Sequence, residues 1–343
     1  MSAIHRRLAA LALAAAAVAS GMWAPSEARA TPTVWARARN PGVEQQQALI
    51  REAENLLIRY ERLLRTPSIA DSVQQVGPLW VGQARALYEQ AGAKTSRDPF
   101  LRMRYASILQ DLGEHEGATR ELEAVLRLDP PAPVKADAYR DLAVCYARLD
   151  RHEEEIRAYG EALALEPHPG PRALLLANRA EAYMALGDII QAVAGYRASL
   201  SLLGTREMFS YGVTTLWGLA VALDRSGDLE SSIEHIALAR TYDPNDEKLN
   251  GPGWFYVPPH DAYWYKALGD WQFARSAETG AARVKFYDDA VASWEDYLAR
   301  APEGDQWAPL ARVRLARCEK EREDAVRRSL RVRTSTKMPA DPP

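Results

Sequence analysis

Apolar residues recur at helical spacing along most of this chain, in blocks separated by turn and breaker residues. Residues 43–64 carry apolar side chains at three- and four-residue steps, and a second helix is predicted to begin over residues 79–88. Together they predict a helical cap region over residues 31–97. A long charged capping helix is predicted over residues 305–330, followed by a polar, proline-bearing tail over residues 331–343 that we expect to be disordered.

Between these two ends, a turn sequence repeats at a regular interval. Equal intervals separate the first three turns, and the fourth follows after a slightly longer one: Leu112-Gly113-Glu114, Leu149-Asp150-Arg151, Leu186-Gly187-Asp188 and Ser226-Gly227-Asp228. A helix breaker follows the middle residue of every turn at one constant distance, and the breakers are Pro130, Pro167, Gly204 and Pro244. Such self-similarity indicates stacked supersecondary units, so we predict four helical hairpins over residues 98–244.

Small and large side chains occupy fixed positions within each unit, counted back from its breaker. The most distant of three such positions is always an alanine: Ala106, Ala143, Ala180 and Ala220. The middle position holds Ala118, Glu155, Ala192 and Ser232, and the nearest position holds Leu122, Tyr159, Tyr196 and Ile236. Small residues let two helices approach closely, and the large apolar residue fills the space beside them.

A degenerate fifth unit is predicted over residues 245–304. Ala290, Trp294 and Pro302 reproduce the spacing of the middle position, the nearest position and the breaker, while the first helix of this unit is displaced by an insertion.

Segments such as 106–130 and 180–204 resemble the tetratricopeptide repeat family, in particular its exported bacterial members. Glu155 and Asp150 depart from the family pattern, and the interval from Asp150 to Gly187 is longer than the usual repeat of roughly 34 residues. The resemblance implies an all-α, right-handed superhelical solenoid of antiparallel helix hairpins with atypical caps. It also implies that the chain binds a protein or peptide rather than catalysing a reaction.

If the family geometry holds, the first helix of each unit lines a concave groove. The groove candidates are Met103, Gln110, Arg140, Val144, Arg148, Glu181, Met184, Trp217, Val221 and Arg225. Arg140, Arg148, Arg225 and Trp217 favour an acidic or aromatic-bearing extended segment, held by charge-assisted hydrogen bonds and stacking. The alternative is that these charges only keep the groove solvated.

Aromatic residues concentrate between Trp254 and Tyr297, which hold twelve of the 29 aromatics in the chain. One interpretation is core filling around an irregular unit. The other is that Trp254, Phe255 and Tyr256 are exposed anchors on a loop, since aromatics carry much of the binding energy at interfaces. Exposed aromatics also raise the alternative function of binding carbohydrate or an envelope polymer.

Residues 1–30 have the order of a secretory signal peptide: basic His5-Arg6-Arg7, an uncharged run over 8–20, and the small-residue site Ala28-Arg29-Ala30. We therefore expect an exported protein, periplasmic or extracellular, without a membrane span after cleavage. Whether the peptide is cleaved stays open. Removing its three arginines and its one acid, Glu27, moves the formal charge from −3 to about −5, which disfavours nucleic-acid binding.

The sequence contains no phosphate loop, dinucleotide fingerprint or nucleophile elbow, so we predict a non-catalytic protein with no cofactor and no metal. His152 lacks the second histidine that a zinc site would require. A catalytic histidine at His260 in the insertion is the remaining enzymatic hypothesis. Cys145 and Cys318 are interpreted as buried thiols, with a single long-range disulfide as the alternative.

Overall fold

The computed structural model describes residues 41–64, 70–251 and 254–335, and every regular element in these ranges is a helix. The prediction of an all-α array of tetratricopeptide-like hairpins is confirmed. The predicted signal peptide over 1–30 lies outside the described residues, as do 336–343 of the predicted tail. The chain divides into two compact units, one ending at Glu166 and the other beginning at Pro167.

In the described part of the first unit, residues 41–64 and 70–166, the helices form three pairs. Their bounds are α1 Pro41–Leu64 with α2 Ala70–Gln90, α3 Pro99–Asp111 with α4 His115–Arg127, and α5 Ala132–Arg148 with α6 His152–Leu165; a 3₁₀ turn covers Ala93–Thr95.

The described residues of the second unit, up to Ser335, also form three helix pairs, which a long helix follows. The bounds are α7 Pro169–Ala185 with α8 Ile189–Ser201, α9 Val213–Arg225 with α10 Leu229–Tyr242, α11 Asp261–Ser276 with α12 Gly280–Arg300, and then α13 Ala308–Ser335. A helical turn at Thr205–Glu207 and a π-turn at Met208–Gly212 precede α9, where the interval between successive repeats lengthens.

The turns within the four repeats share one hydrogen-bonded geometry. The middle residues Gly113, Asp150, Gly187 and Gly227 have φ values of 75°, 54°, 81° and 98°. In each turn, the backbone N–H of the residue after the middle one donates to the carbonyl of the residue five positions before it, at 2.8 to 2.9 Å. The accepting carbonyls are those of Leu109, Tyr146, Tyr183 and Leu223. This is the Schellman ending of a helix, which glycine adopts with least strain and aspartate tolerates.

The residues at the fixed positions form the core between paired helices. Ala106, Ala143, Ala180 and Ala220 are fully buried, and the large residues at the position nearest each breaker are buried too. Where α7 meets α8, a Cβ on Gly195 would lie 2.9 Å from the Cβ of Ala180. Glu155, at a position that is otherwise small, is buried as well, and its carboxylate contacts His152 Nδ1 at 2.9 Å.

A charged clamp joins the N-terminal pair to α3. Arg104 donates from Nε and Nη2 to the two oxygens of Glu54, both at 2.8 Å, and the Tyr88 hydroxyl donates to the same carboxylate. Such bidentate pairing fixes both distance and orientation. The N-terminal pair therefore has a defined register on the repeats.

The start of α2 was predicted too late. The helix begins at Ala70 rather than near Leu79, and it continues through Pro78. A residue before proline normally avoids helical geometry because its Cβ clashes with the proline ring, but Gly77 has no Cβ. Its bare backbone also lets the Tyr60 ring approach, since a Cβ there would lie 2.6 Å from Tyr60 Cε2.

The C-terminal helix lies further along than predicted. It covers Ala308–Ser335, so residues 331–335, assigned to the disordered tail, are helical. The sequence contains no glycine or proline between Leu310 and Pro339 to end the helix earlier. Asp305 precedes the helix and caps it, accepting from the N–H groups of Trp307 and Ala308 at 2.9 and 2.8 Å.

Glu321 ties the last three helices together. It accepts hydrogen bonds from Trp271 Nε1 at 2.9 Å, from the Tyr287 hydroxyl at 3.0 Å and from Arg275 Nη2 at 2.8 Å. Burial alone would raise the pKa of this carboxyl, but hydrogen bonds from Arg275 and Trp271 hold its pKa at about 2. Glu321 is therefore ionised at neutral pH, and it pairs with the guanidinium of Arg275.

Two glycine substitutions test the close packing. A Cβ on Gly218 would lie 2.5 Å from Cζ of the buried Tyr196, whereas one on Gly160, in the middle of α6, would meet nothing within 4 Å. We expect Gly218→Ala to destabilise the protein by about 1–3 kcal/mol through overpacking. Gly160→Ala should stabilise it by about 0.5–1 kcal/mol through helix propensity.

The measurement is thermal and urea unfolding of both variants, followed by circular dichroism. A Gly218→Ala protein as stable as Gly160→Ala would contradict the close approach of α9 to Tyr196.

Candidate functional site

In the first unit, the predicted groove residues remain accessible. Met103 and Gln110 on α3 and Arg140 and Val144 on α5 are half-buried, and Arg148 at the end of α5 is exposed. We call these five residues the α3–α5 surface. They lie on the first helices of two consecutive hairpins, as the repeat register predicted.

Polar contacts within this surface hold α3 and α5 in register. Gln110 Nε2 donates to the Asp141 carbonyl and to Cys145 Sγ, each at 3.0 Å. Arg140 pairs with Asp137 at 2.6 Å and lies 3.4 Å from Asp141. The positive charge of Arg140 is thus largely balanced by its own neighbours. The apolar contact that this surface can offer a partner therefore comes from Met103 and Val144.

Phe100 belongs beside this surface and was not predicted. It lies in the first turn of α3, three residues before Met103, and the residue is 53% exposed. Residues three apart share a helix face. The sequence could have indicated Phe100, because the groove position one helical turn before Met103 falls on it.

In the second unit, the predicted groove residues are mostly covered. Glu181 is half-buried, but Met184, Trp217, Val221 and Arg225 are 2%, 1%, 0% and 6% exposed. The prediction that these four line an open groove is therefore wrong for this structure. Met184, Trp217 and Val221 belong to one hydrophobic cluster, which also contains Tyr265 and is flanked by Trp254, Tyr256 and Trp307. Later segments of the chain cover α7 and α9.

Arg225 shows how this covering is achieved. Its Nη2 pairs with Asp261 at 2.7 Å, and its guanidinium lies 4.8 Å from the ring centre of Trp264 and 4.9 Å from that of Trp307. Arg225 is one of the three arginines predicted to bind an acidic segment, yet its charge is already matched by Asp261. Contact with aromatic faces replaces part of the hydration that burial removes.

The neighbouring Asp224 is a buried residue that the sequence did not identify. It accepts from Arg314 Nε at 2.6 Å and from Trp264 Nε1 at 3.0 Å, and the Arg314 side chain also donates to its carbonyl at 3.1 Å. Arg314 lies 90 residues later in a helix that reads as solvated. No local pattern shows which arginine of that helix turns inward.

The aromatic-rich segment is mainly core. Trp264, Trp271, Trp294 and Tyr297 are fully buried, which supports the core-filling interpretation for them. In the loop, Trp254, Phe255 and Tyr256 are half-buried. Tyr256 meets Tyr265 edge to face at 5.1 Å, and Trp254 meets Tyr256 the same way at 5.9 Å. The loop thus packs on α11, and this arrangement does not favour the alternative function of stacking on sugar rings.

His260 contacts Asp305 and Tyr297, which are both part of the packing around α12 and α13. Its Nε2 lies 3.1 Å from Asp305, which also accepts from the Tyr297 hydroxyl at 3.1 Å. The ring of His260 packs edge to face on Tyr297 at 5.1 Å. Because Asp305 also caps α13, the contact joins the insertion to the start of that helix.

Cys145 and Cys318 are both buried, and neither belongs to a disulfide. Burial raises the pKa of the Cys318 thiol to about 12. In the part of the chain that the structure describes, no group of three or more His, Cys, Asp or Glu side chains is placed to hold a metal ion. Within the same ranges, no helix is both long enough and apolar enough to cross a membrane.

Comparison with solved structures gives distant likenesses. The chain is similar to the MamA protein, with 14% identity and a TM-score of 0.45 over 60% of this chain and 95% of that one. It is similar to YrrB, described as a TPR protein with an unusual peptide-binding site, with 16% identity and a TM-score of 0.40 over 61% and 93%.

A third likeness is to PH0952, a STAND protein with a tetratricopeptide repeat sensor from Pyrococcus horikoshii. It has 14% identity and a TM-score of 0.49, over 87% of this chain and 46% of that one. No family model matches the sequence, and neither does any curated protein. At these identities and TM-scores, no binding property is transferred from these proteins.

Tryptophan truncations separate core from surface. Trp294→Ala removes a fully buried ring and should destabilise the second unit by about 3–5 kcal/mol. Trp254→Ala removes a half-buried ring and should cost clearly less. Urea unfolding of both variants measures the difference, and equal losses would contradict the division between the core and the loop.

Proposed function

We propose that this chain, an array of tetratricopeptide-like helical hairpins, is a non-catalytic adaptor that holds another protein or a peptide segment on the α3–α5 surface. The observation that carries the proposal is the contrast between the two units. Groove positions on α3 and α5 are accessible, whereas those on α9 are buried beneath later parts of the same chain.

The chemistry of the α3–α5 surface suggests how a partner would bind. Met103, Val144 and the adjoining Phe100 offer apolar contact at a helix surface, while the Arg140 charge is balanced by Asp137 and Asp141. Apolar anchors surrounded by satisfied polar groups are the usual composition of a protein interface. We therefore expect apolar side chains of the partner to supply most of the affinity, with Arg148 contributing at the rim.

The test compares a surface variant with a matched control. Met103→Gln with Val144→Gln removes the apolar contact without adding charge, and Ile190→Gln alters an 82% exposed residue of α8 in the other unit. In pull-downs from an extract of the source cells, quantified by mass spectrometry, we expect specific partners to fall at least about tenfold with the surface variant. A loss of about 0.7 kcal/mol or more at each residue would suffice.

The control should retain those partners. Partners held equally by all three proteins, or lost equally from both variants, would contradict binding through the α3–α5 surface. Circular dichroism of each variant establishes that it is folded.

We propose in addition that the protein acts outside the cytoplasm, in the periplasm or beyond. The support is the order of the basic start, the apolar run and the small-residue site within residues 1–30. Cell fractionation with N-terminal sequencing of the product should find a mature chain that begins at Thr31 in the exported fraction. A chain retained in the cytoplasm with Met1 intact would refute the export proposal.

A further inference from the structure

The covered part of the second unit is closed by a short segment near the C-terminus. We define this strap as residues 302–314, which connect α12 to the first turns of α13. The covered face is the C-terminal part of α7 and α9 that carries Ala185, Asp224 and Arg225. The strap contacts this face with side chains of several chemistries.

At the end of α7, the strap contributes an amide. Gln306 Nε2 donates to the Ala185 carbonyl at 3.1 Å. The neighbouring Gly187 leaves room for this side chain, because a Cβ there would lie 2.5 Å from Gln306 Oε1. The last carbonyls of a helix lack partners within the helix, so an incoming donor is favoured there.

At the end of α9, the strap contributes an indole ring and a guanidinium. Trp307 packs on the Arg225 guanidinium at 4.9 Å, and Arg314 Nε donates to the Asp224 carboxylate at 2.6 Å. Asp224 is fully buried and Arg314 nearly so, so their pairing is highly specific in geometry. A buried carboxylate without a cation would be strongly unfavourable.

The connection of the strap to α12 is exposed. Residues 302–304 are exposed, and Gly304 has a φ of 84°. A glycine in the left-handed region between two helices absorbs a change of chain direction with little strain. The strap thus follows α12 through a solvent-exposed turn at its own residues 302–304, and at its other end it continues into α13.

We propose that the strap is an internal ligand of the second unit, which closes the covered face against partner segments. The covered face then fits a segment of one chemistry: a turn that presents an amide to the end of α7 and an indole ring to Arg225, followed by a helix that presents an arginine to Asp224. A partner segment with these groups competes with the strap for the same contacts. This inference is independent of the α3–α5 surface.

The tethered strap has a large advantage over a free segment. Because the strap belongs to the same chain as the covered face, its contacts form within one molecule, at an effective concentration of roughly millimolar or above. A free segment at micromolar concentration is therefore excluded from the wild-type protein. Weakening the strap within the chain, while leaving the covered face intact, should admit the free segment.

The experiment uses the full chain with Gln306, Trp307 and Arg314 all changed to Ala, as the strap variant. The probe is a fluorescein-labelled synthetic peptide with the sequence of residues 302–318, and binding is followed by fluorescence anisotropy. We expect saturable binding to the strap variant and at least about tenfold weaker binding to wild type. A peptide carrying Arg314→Ala, or a strap variant that also carries Asp224→Asn, should bind at least about tenfold more weakly than the native combination.

A second variant guards against loss of folding. Gln306→Ala with Trp307→Ala leaves the Asp224–Arg314 pair intact, and it should bind the peptide more tightly than wild type does. If the triple variant unfolds, peptide binding to the double variant tests the proposal. The proposal would be overturned if a folded variant does not bind the peptide or if binding does not depend on Arg314. It would also be overturned if both variants unfold. In the last case the strap would be an indispensable part of the core.

Discussion

The close contact of two helices across an alanine is the constraint on which each hairpin depends. Ala106, Ala143, Ala180 and Ala220 are fully buried against the second helix of their pairs. A larger side chain at any of these positions would push the helices apart and detach the aromatic or aliphatic residue that fills the adjoining space. The turns follow from the same constraint, because two helices this close must be joined by a short, tight connection.

This constraint explains why so much of the fold could be predicted from the sequence. The alanines, the left-handed turn residues and the breakers recur at fixed spacings, and each reports a local requirement of backbone or packing. The errors fall where local rules do not decide. Gly77 removes the clash that would have ended a helix before Pro78, and the late end of α13 follows from the lack of a breaker up to Pro339.

The candidate site was predicted less completely, for a physical reason. Repeat register places Met103, Val144, Trp217 and Val221 at groove positions, and it contains no information on what a distant segment does to them. Trp217 and Val221 are buried because the insertion and the start of α13 return to α9. Such contacts join residues far apart in the sequence, 90 positions in the Asp224–Arg314 pair. Desolvation offsets much of the attraction in such a buried pair, so its presence alone says little about how stable the unit is.

The distribution of tryptophan gives the two units different optical properties. Among the described residues, the first unit contains Trp80, whereas the second contains Trp217, Trp254, Trp264, Trp271, Trp294 and Trp307. Four of these six indoles are fully buried. Because residues 167–343 hold six of the nine tryptophans of the full sequence, they contribute most of the intrinsic fluorescence, while far-ultraviolet circular dichroism reports the helices of both units. Used together on unmodified protein, the two signals distinguish melting of one unit from melting of the other.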